Sequence, residues 1–111
     1  MNGFQLTFYT QQDRRHDGQP LAHWLLAFAK AQGALGGTLA AAGESFGHTG
    51  RFHSARFFEL ADQPVEVAIA VDAPTCDRLL AALAQEPVDL FYVKQAVEFG
   101  RLGAKAPAGN D

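Results

Sequence analysis

Hydrophobic and polar residues alternate along some stretches of this chain and recur at helical spacing along others. From Phe4 to Tyr9, Phe4, Leu6 and Phe8 fall on one side and Gln5, Thr7 and Tyr9 on the other, which predicts a strand. The stretch Gln11 to Gly18 is polar. Pro20 then suits the first position of a helix in which Leu21, Trp24, Leu25, Phe28 and Ala29 follow at helical spacing, and Gly33 ends it. Leu35 to Ala42 predicts a second strand, with its pattern diluted by Gly36, Gly37 and the alanines. Gly43, Gly47 and Gly50 mark a long, flexible loop.

The second half repeats the order. Ala55 to Leu60 reads as extended, and after the turn Asp62-Gln63-Pro64 the run Val65 to Val71 alternates strictly, so both belong to a third strand region. Asp72 and Pro74 open a second helix with Cys76, Leu79, Leu80 and Leu83 on one face, and Pro87 stops it. Leu90 to Phe99 predicts a final strand, and residues 103–111 a flexible tail. Residues 1–102 are thus expected to form one domain. Its order, strand, helix, strand, strand, helix, strand, predicts an α+β ferredoxin-like fold, an antiparallel sheet with both helices on one face.

In the last strand Phe91, Val93, Val97 and Phe99 share one side, and Leu90, Tyr92, Lys94, Ala96 and Glu98 the other. The expectation is that the first set faces the helices. The outer sheet face would then carry Thr7, Tyr9, Ala68, Ala70, Leu90, Tyr92 and Ala96 together with Glu66, Lys94 and Glu98. That surface is too apolar to be left in water, so self-association through it is expected.

Composition narrows the function classes. A chain of 111 residues with 48% hydrophobic and 19% charged residues has the make-up of a globular domain. A formal charge of -3 supplies no large basic footprint, so nucleic acid is not an expected partner. No apolar run is long enough to span a bilayer, and the start MNGFQLTFY has no basic region followed by an apolar stretch, so a cytoplasmic location is expected. Cys76 is the only cysteine, which excludes an internal disulfide and a paired-thiolate site, and its place on the apolar stripe of the second helix makes it a packing residue.

Catalytic motifs are sparse. Gly33 to Thr38 is glycine-rich but has no Lys-Ser or Lys-Thr ending and precedes a strand, so it reads as a helix stop and not a phosphate loop. No nucleophile, base and orienting group occur together, and no enzymatic activity is expected. The segment Glu44 to Arg56 is richer, placing Arg51, Arg56, His48, His53, Phe46 and Phe52 among flexible glycines. Arg51, His53 and Arg56 can donate directional hydrogen bonds to a phosphate or carboxylate. A hairpin with merely solvated charges, or a divalent-metal site using His48 and His53, are the alternatives.

The stretch Phe46-Gly47, three variable positions, then Arg51-Phe-His53-Ser-Ala-Arg56-Phe-Phe-Glu59-Leu60, followed by the Pro64 to Asp72 strand, resembles the PII-like family known as domain of unknown function 190. This family is related to the nitrogen-regulatory PII proteins and the CutA-like divalent-cation tolerance proteins. Gly37-Thr38 fits the start of the family's second strand, and Ser45-Phe46-Gly47 stands where relatives often have Gly-Phe-Gly. The resemblance covers about residues 4–101. It implies a homotrimer that senses a small effector, an adenine nucleotide being the class suggested, at clefts between subunits. It also implies a protein target, a membrane transporter or an enzyme, reached through the 43–56 loop, called the T-loop in PII proteins. The effector-binding residues implied are Gly37, Thr38, Phe46, Gly47, Arg51, His53, Arg56, Lys94 and Arg101. The chain departs from PII proteins in having only Glu86-Pro-Val-Asp89 where they carry a glycine-rich, lysine-bearing phosphate segment. The alternative within the resemblance is a CutA-like metal-binding protein.

Overall fold

The computed structural model describes residues 1–41, 44–46, 52–54 and 64–103, and for 44–46 and 52–54 the backbone alone. In chain order the elements are β1 (Asn2–Gln11), β2 (Arg15–His16), β3 (Gln19–Pro20), α1 (Leu21–Ala31), β4 (Gly36–Ala41), β5 (Glu44–Phe46), β6 (Phe52–Ser54), β7 (Pro64–Asp72), α2 (Ala73–Leu83) and β8 (Phe91–Glu98). Four strands form one sheet in the order β4-β7-β1-β8, and every neighbouring pair is antiparallel. With β1, α1, β4, β7, α2 and β8 as its frame, the chain has the expected ferredoxin-like βαββαβ order. The extended segment expected over Ala55 to Leu60 and the tail from 104 onward lie outside the described residues.

Local chemistry accounts for the element ends. Asp72 caps α2 by accepting a 2.8 Å hydrogen bond from the Thr75 backbone N–H, and Pro74 occupies the first turn, where no intrahelical donor is needed. Gly33, at φ 104°, takes the left-handed conformation that ends α1. Pro20 does not begin α1 but stands one place earlier, because its ψ of 134° is extended and it pairs with Arg15 in the β2–β3 ladder. The polar stretch before α1 is therefore a small hairpin. Its turn residues Asp17 and Gly18 both have positive φ, the requirement of the tight turn that matches strand twist. The hairpin packs His16 edge-on against Trp24, with ring centroids 4.2 Å apart, and brings its Nε2 to 3.5 Å from Glu86 Oε1.

The core lies between the sheet and the helices. Leu6 and Phe8 of β1, Val65, Val67, Ile69 and Val71 of β7, Leu21, Leu25 and Ala29 of α1, and Cys76, Leu79 and Leu83 of α2 are all buried. Alternation in β7 is matched residue by residue, odd positions inward and even positions from Glu66 onward partly exposed.

The last strand corrects the expectation. Residues directly opposite in an antiparallel pair project from the same sheet face. Phe4, Leu6 and Phe8 lie opposite Ala96, Lys94 and Tyr92, while Thr7 and Tyr9 lie opposite Val93 and Phe91. Tyr92, Lys94, Ala96 and Glu98 are thus on the helix side, and Phe91, Val93 and Val97 on the outer side, the reverse of the sequence reading. Both sets contain apolar residues, so alternation alone could not tell which faced inward. Leu90, also expected outside, packs against the core. The outer face still carries Thr7, Tyr9, Glu66, Ala68 and Ala70 as expected, now joined by Phe91 and Val93.

Candidate functional site

Tandem glycines in a strand weaken it, because they lose the most backbone entropy on folding and pack no side chain. Gly36 and Gly37 open β4, an edge strand whose six residues are all exposed. Gly37 lies opposite Ile69 and so faces the helices, where an added Cβ would come within 2.9 Å of Leu26 Cδ2. Gly36 lies opposite Ala70 on the outer side, and a Cβ there would meet nothing within 4 Å. Without side chains at these two positions, both faces of the sheet edge stay hollow. A concavity of about 320 Å³ on the helix side is lined by Leu26, Lys30, Leu35, Gly36, Gly37 and Ile69. A second, also about 320 Å³, lies on the outer side against Gln5, Gly36, Thr38, Ala68 and Ala70.

Of the sequence-derived residues, Gly37 and Thr38 therefore share this edge, on opposite faces of the sheet. Lys94 and Arg101 do not join them. Lys94 lies on β8, the other edge strand, with β7 and β1 between, and its ammonium stands 4.4 Å above the Phe4 ring. Arg101 is exposed just beyond β8. Thr38 and Lys94 thus stand at opposite edges of the sheet within one protomer, whereas the sequence reading places them at clefts between subunits.

The loop expected to be long and flexible contains a short ladder. Glu44, Ser45 and Phe46 of β5 pair with Ser54, His53 and Phe52 of β6, which places the backbones of Phe46 and His53 in a two-stranded ribbon. Gly47, His48, Arg51 and Arg56 lie outside the described residues. Among the described residues no three His, Cys, Asp or Glu side chains are grouped so as to hold a metal.

Sequence reasoning passes over two members of this edge. Gly36 disappears into the helix-stop reading, and Lys30, in the last turn of α1, carries no signal beyond that of a solvated charge. The doublet Gly36-Gly37 inside a strand is the available clue. Away from this edge, Cys76 and Asp72 have structural roles. Burial pushes the Cys76 thiol above its ordinary pKa, so the fold keeps it protonated. The hydrogen bonds from Thr75 hold the Asp72 carboxyl below the usual aspartate value, with a smaller contribution from the charge of Arg78. No helix among the described residues is long and apolar enough to cross a membrane.

Solved structures share this fold. A PII-like signalling protein from Thermus thermophilus superposes with a TM-score of 0.65 at 18% identity, over 86% of this chain and 87% of that one. CPII, a nitrogen regulatory PII-like protein from Thiomonas intermedia K12 solved with ADP, AMP and bicarbonate, gives a TM-score of 0.68 at 14% identity over 91% of both chains. No curated protein matches the chain. The family model DUF190, described as "Uncharacterized ACR, COG1993", matches residues 3–99. That span contains nearly all of the four-stranded sheet and both helices, and the chain belongs to the DUF190 family.

Proposed function

We propose that this protein is a non-enzymatic PII-like regulator, a homotrimer that binds an adenine nucleotide along the β4 edge and acts on a partner protein, a transporter or an enzyme, through the 43–56 loop. The observation that carries the reading is the Gly36-Gly37-Thr38 edge. Two strand positions give up their side chains and leave backbone accessible on both sides, as a ligand that approaches the chain closely requires. Thr38 supplies a hydroxyl there, and Lys30 a cation at the rim of the helix-side hollow. The loop containing β5 and β6 leaves the sheet directly from β4, so an occupant of this edge sits at the base of the segment that would contact a target. The fold shared with CPII, solved with ADP and AMP, supports the choice of nucleotide.

Calorimetric titration with ADP, AMP and ATP, with and without bicarbonate, tests the reading when run on the wild type and on Gly36→Val. The valine has open space in which to fit and suits a strand, so it should fold normally while filling the outer hollow. The expected result is wild-type binding of at least one nucleotide and at least about a tenfold loss in the variant, about 1.4 kcal/mol. Equal binding by both proteins moves the site away from β4. Absence of binding by the wild type removes the nucleotide.

A further inference from the structure

The β2–β3 hairpin stands outside the βαββαβ frame, yet the chain entering it is tied to two parts of that frame. The Arg14 carbonyl accepts a 2.8 Å hydrogen bond from the Leu21 N–H at the start of α1, and the Arg14 guanidinium donates at 2.8 Å to the Asp89 carbonyl, shortly before β8. His16 sits between these ties. Its side chain is only 11% exposed, its ring meets Trp24 edge-on, and its Nε2 is buried with no hydrogen-bond partner among the described residues. Two carboxylates flank that nitrogen, Glu86 Oε1 at 3.5 Å and Asp17 Oδ2 at 3.6 Å.

A buried polar atom without a partner calls for a physical reason. In a neutral imidazole, Nε2 is either a lone pair turned toward two carboxylates, which repels, or an N–H whose oxygens lie beyond about 3.2 Å, which bonds weakly. In the charged ring both nitrogens carry protons, and the same two oxygens become partners of opposite sign. Glu86 is the stronger partner, because its side chain is 32% exposed against 70% for Asp17 and water screens it less. The other charged groups on the surrounding segments are turned elsewhere: Arg14 and Arg15 donate to the carbonyls of Asp89 and Gly18, and Asp13, His23 and Asp89 are exposed. From α1 the ring meets the uncharged Trp24.

We infer that His16 is a proton-operated clasp, which on becoming charged draws in Glu86 and fastens the α2–β8 connection to the hairpin. Histidine is the side chain that ordinarily changes charge between about pH 5 and 8. The contribution of the clasp is present while the imidazole carries its second proton, and is lost as pH rises and that proton leaves. What it fastens is the entry to β8. Leu90, directly after Asp89, packs against the core, and Phe91 opens the strand. The clasp is independent of both the nucleotide and the trimer.

Thermal melts at about pH 8 and about pH 5.5 test it, a range over which ordinary carboxylates stay ionised while histidine gains its charge. Glu86→Gln and Asp17→Asn leave the imidazole in place, and asparagine tolerates the positive φ of 51° at position 17. The expected result is a Tm gap between wild type and Glu86→Gln that is wider at the acid pH by about 2–4 °C, with a smaller widening for Asp17→Asn. A gap that stays constant or narrows in acid overturns the clasp. An effect of Asp17→Asn larger than that of Glu86→Gln also overturns it, because the contact is then confined to the hairpin. Trp24, the only tryptophan, gives a second, local reading, since a protonated imidazole quenches an adjacent indole. Its emission should fall from the higher pH to the lower in the wild type and hold steady in His16→Gln. Emission that stays flat in the wild type, or falls equally in His16→Gln, removes His16 as the group that takes up the proton.

Discussion

Leu6 lies opposite Lys94 across the β1–β8 ladder, so the ammonium of Lys94 emerges on the helix side and comes to rest 4.4 Å from the centroid of the Phe4 ring. An apolar residue thus faces a charged one at the sheet edge, and the aromatic neighbour two residues away receives the charge. The lysine stem covers apolar surface while its head stays in water.

The consequence is a measurable coupling. Lys94→Ala should destabilise the fold by about 0.5–1 kcal/mol, the range of an exposed cation–π contact. Lys94→Met, which keeps most of the stem, should lose less. In a double-mutant cycle with Phe4→Leu, followed by urea denaturation, the effect of Lys94→Ala should shrink toward zero. Additive losses would show that Phe4 does not stabilise the cation.

Assembly should depend on which face of β8 is altered. In the proposed trimer Val93→Asp places a carboxylate on the outer face beside Thr7 in every copy at once, and should dissociate it. Ala96→Asp places one on the helix side, where a concavity of about 430 Å³ has room for it, and should leave the assembly intact. Light scattering distinguishes the two. The opposite outcome would mean that copies meet through the helix side.

Glycine positions should divide sharply. At Gly3, a Cβ would collide with the Val71 carbonyl oxygen and lie 2.8 Å from the Phe99 ring, so Gly3→Ala forces backbone to move and should cost about 1–3 kcal/mol. At Gly36 the same change meets open space and relieves the entropic cost of glycine in a strand, so Gly36→Ala should be neutral or stabilising by up to about 1 kcal/mol. Thermal melts of the two variants check both signs.

The Asp72 cap sets a pH dependence. Its carboxyl titrates below the ordinary aspartate value because Thr75 bonds the ionised form, so its contribution is present above the unfolded-state value and is lost as pH falls through the folded one. Melting temperatures measured from neutral pH down past pH 4 should therefore fall less steeply for Asp72→Asn than for the wild type. At neutral pH Asp72→Ala should melt lower than Asp72→Asn, which retains a capping oxygen. Parallel pH profiles for wild type and Asp72→Asn would exclude this carboxylate as a source of acid sensitivity.

The sequence alone carried the order of elements and most of the core. Strict alternation from Val65 to Val71, the helical spacing of Leu21, Trp24 and Leu25, and the Asp72 cap are local patterns, and each is set by which side chains a single element must bury. The motif from Phe46 to Leu60 with the strand after it led to the family. The β2–β3 hairpin escaped notice because Arg15-His16 and Gln19-Pro20 are too short to show a period, although Asp17-Gly18 is a turn signal.

The faces of β8 and the separation of Gly37 from Lys94 were decided only in three dimensions. Phe91, Val93 and Val97 are apolar, but so are Tyr92 and Ala96, and a period of two says that the sets oppose each other without saying which faces the helices. The register against β1 settles that, through Phe8 opposite Tyr92 and Tyr9 opposite Phe91. In the same way no spacing in the sequence tells that Gly37 and Thr38 stand at one edge of the sheet and Lys94 at the other, with β7 and β1 between them. Alternation is a property of one strand, whereas face and neighbourhood are properties of a pairing, and pairing is chosen by the burial of the whole sheet at once.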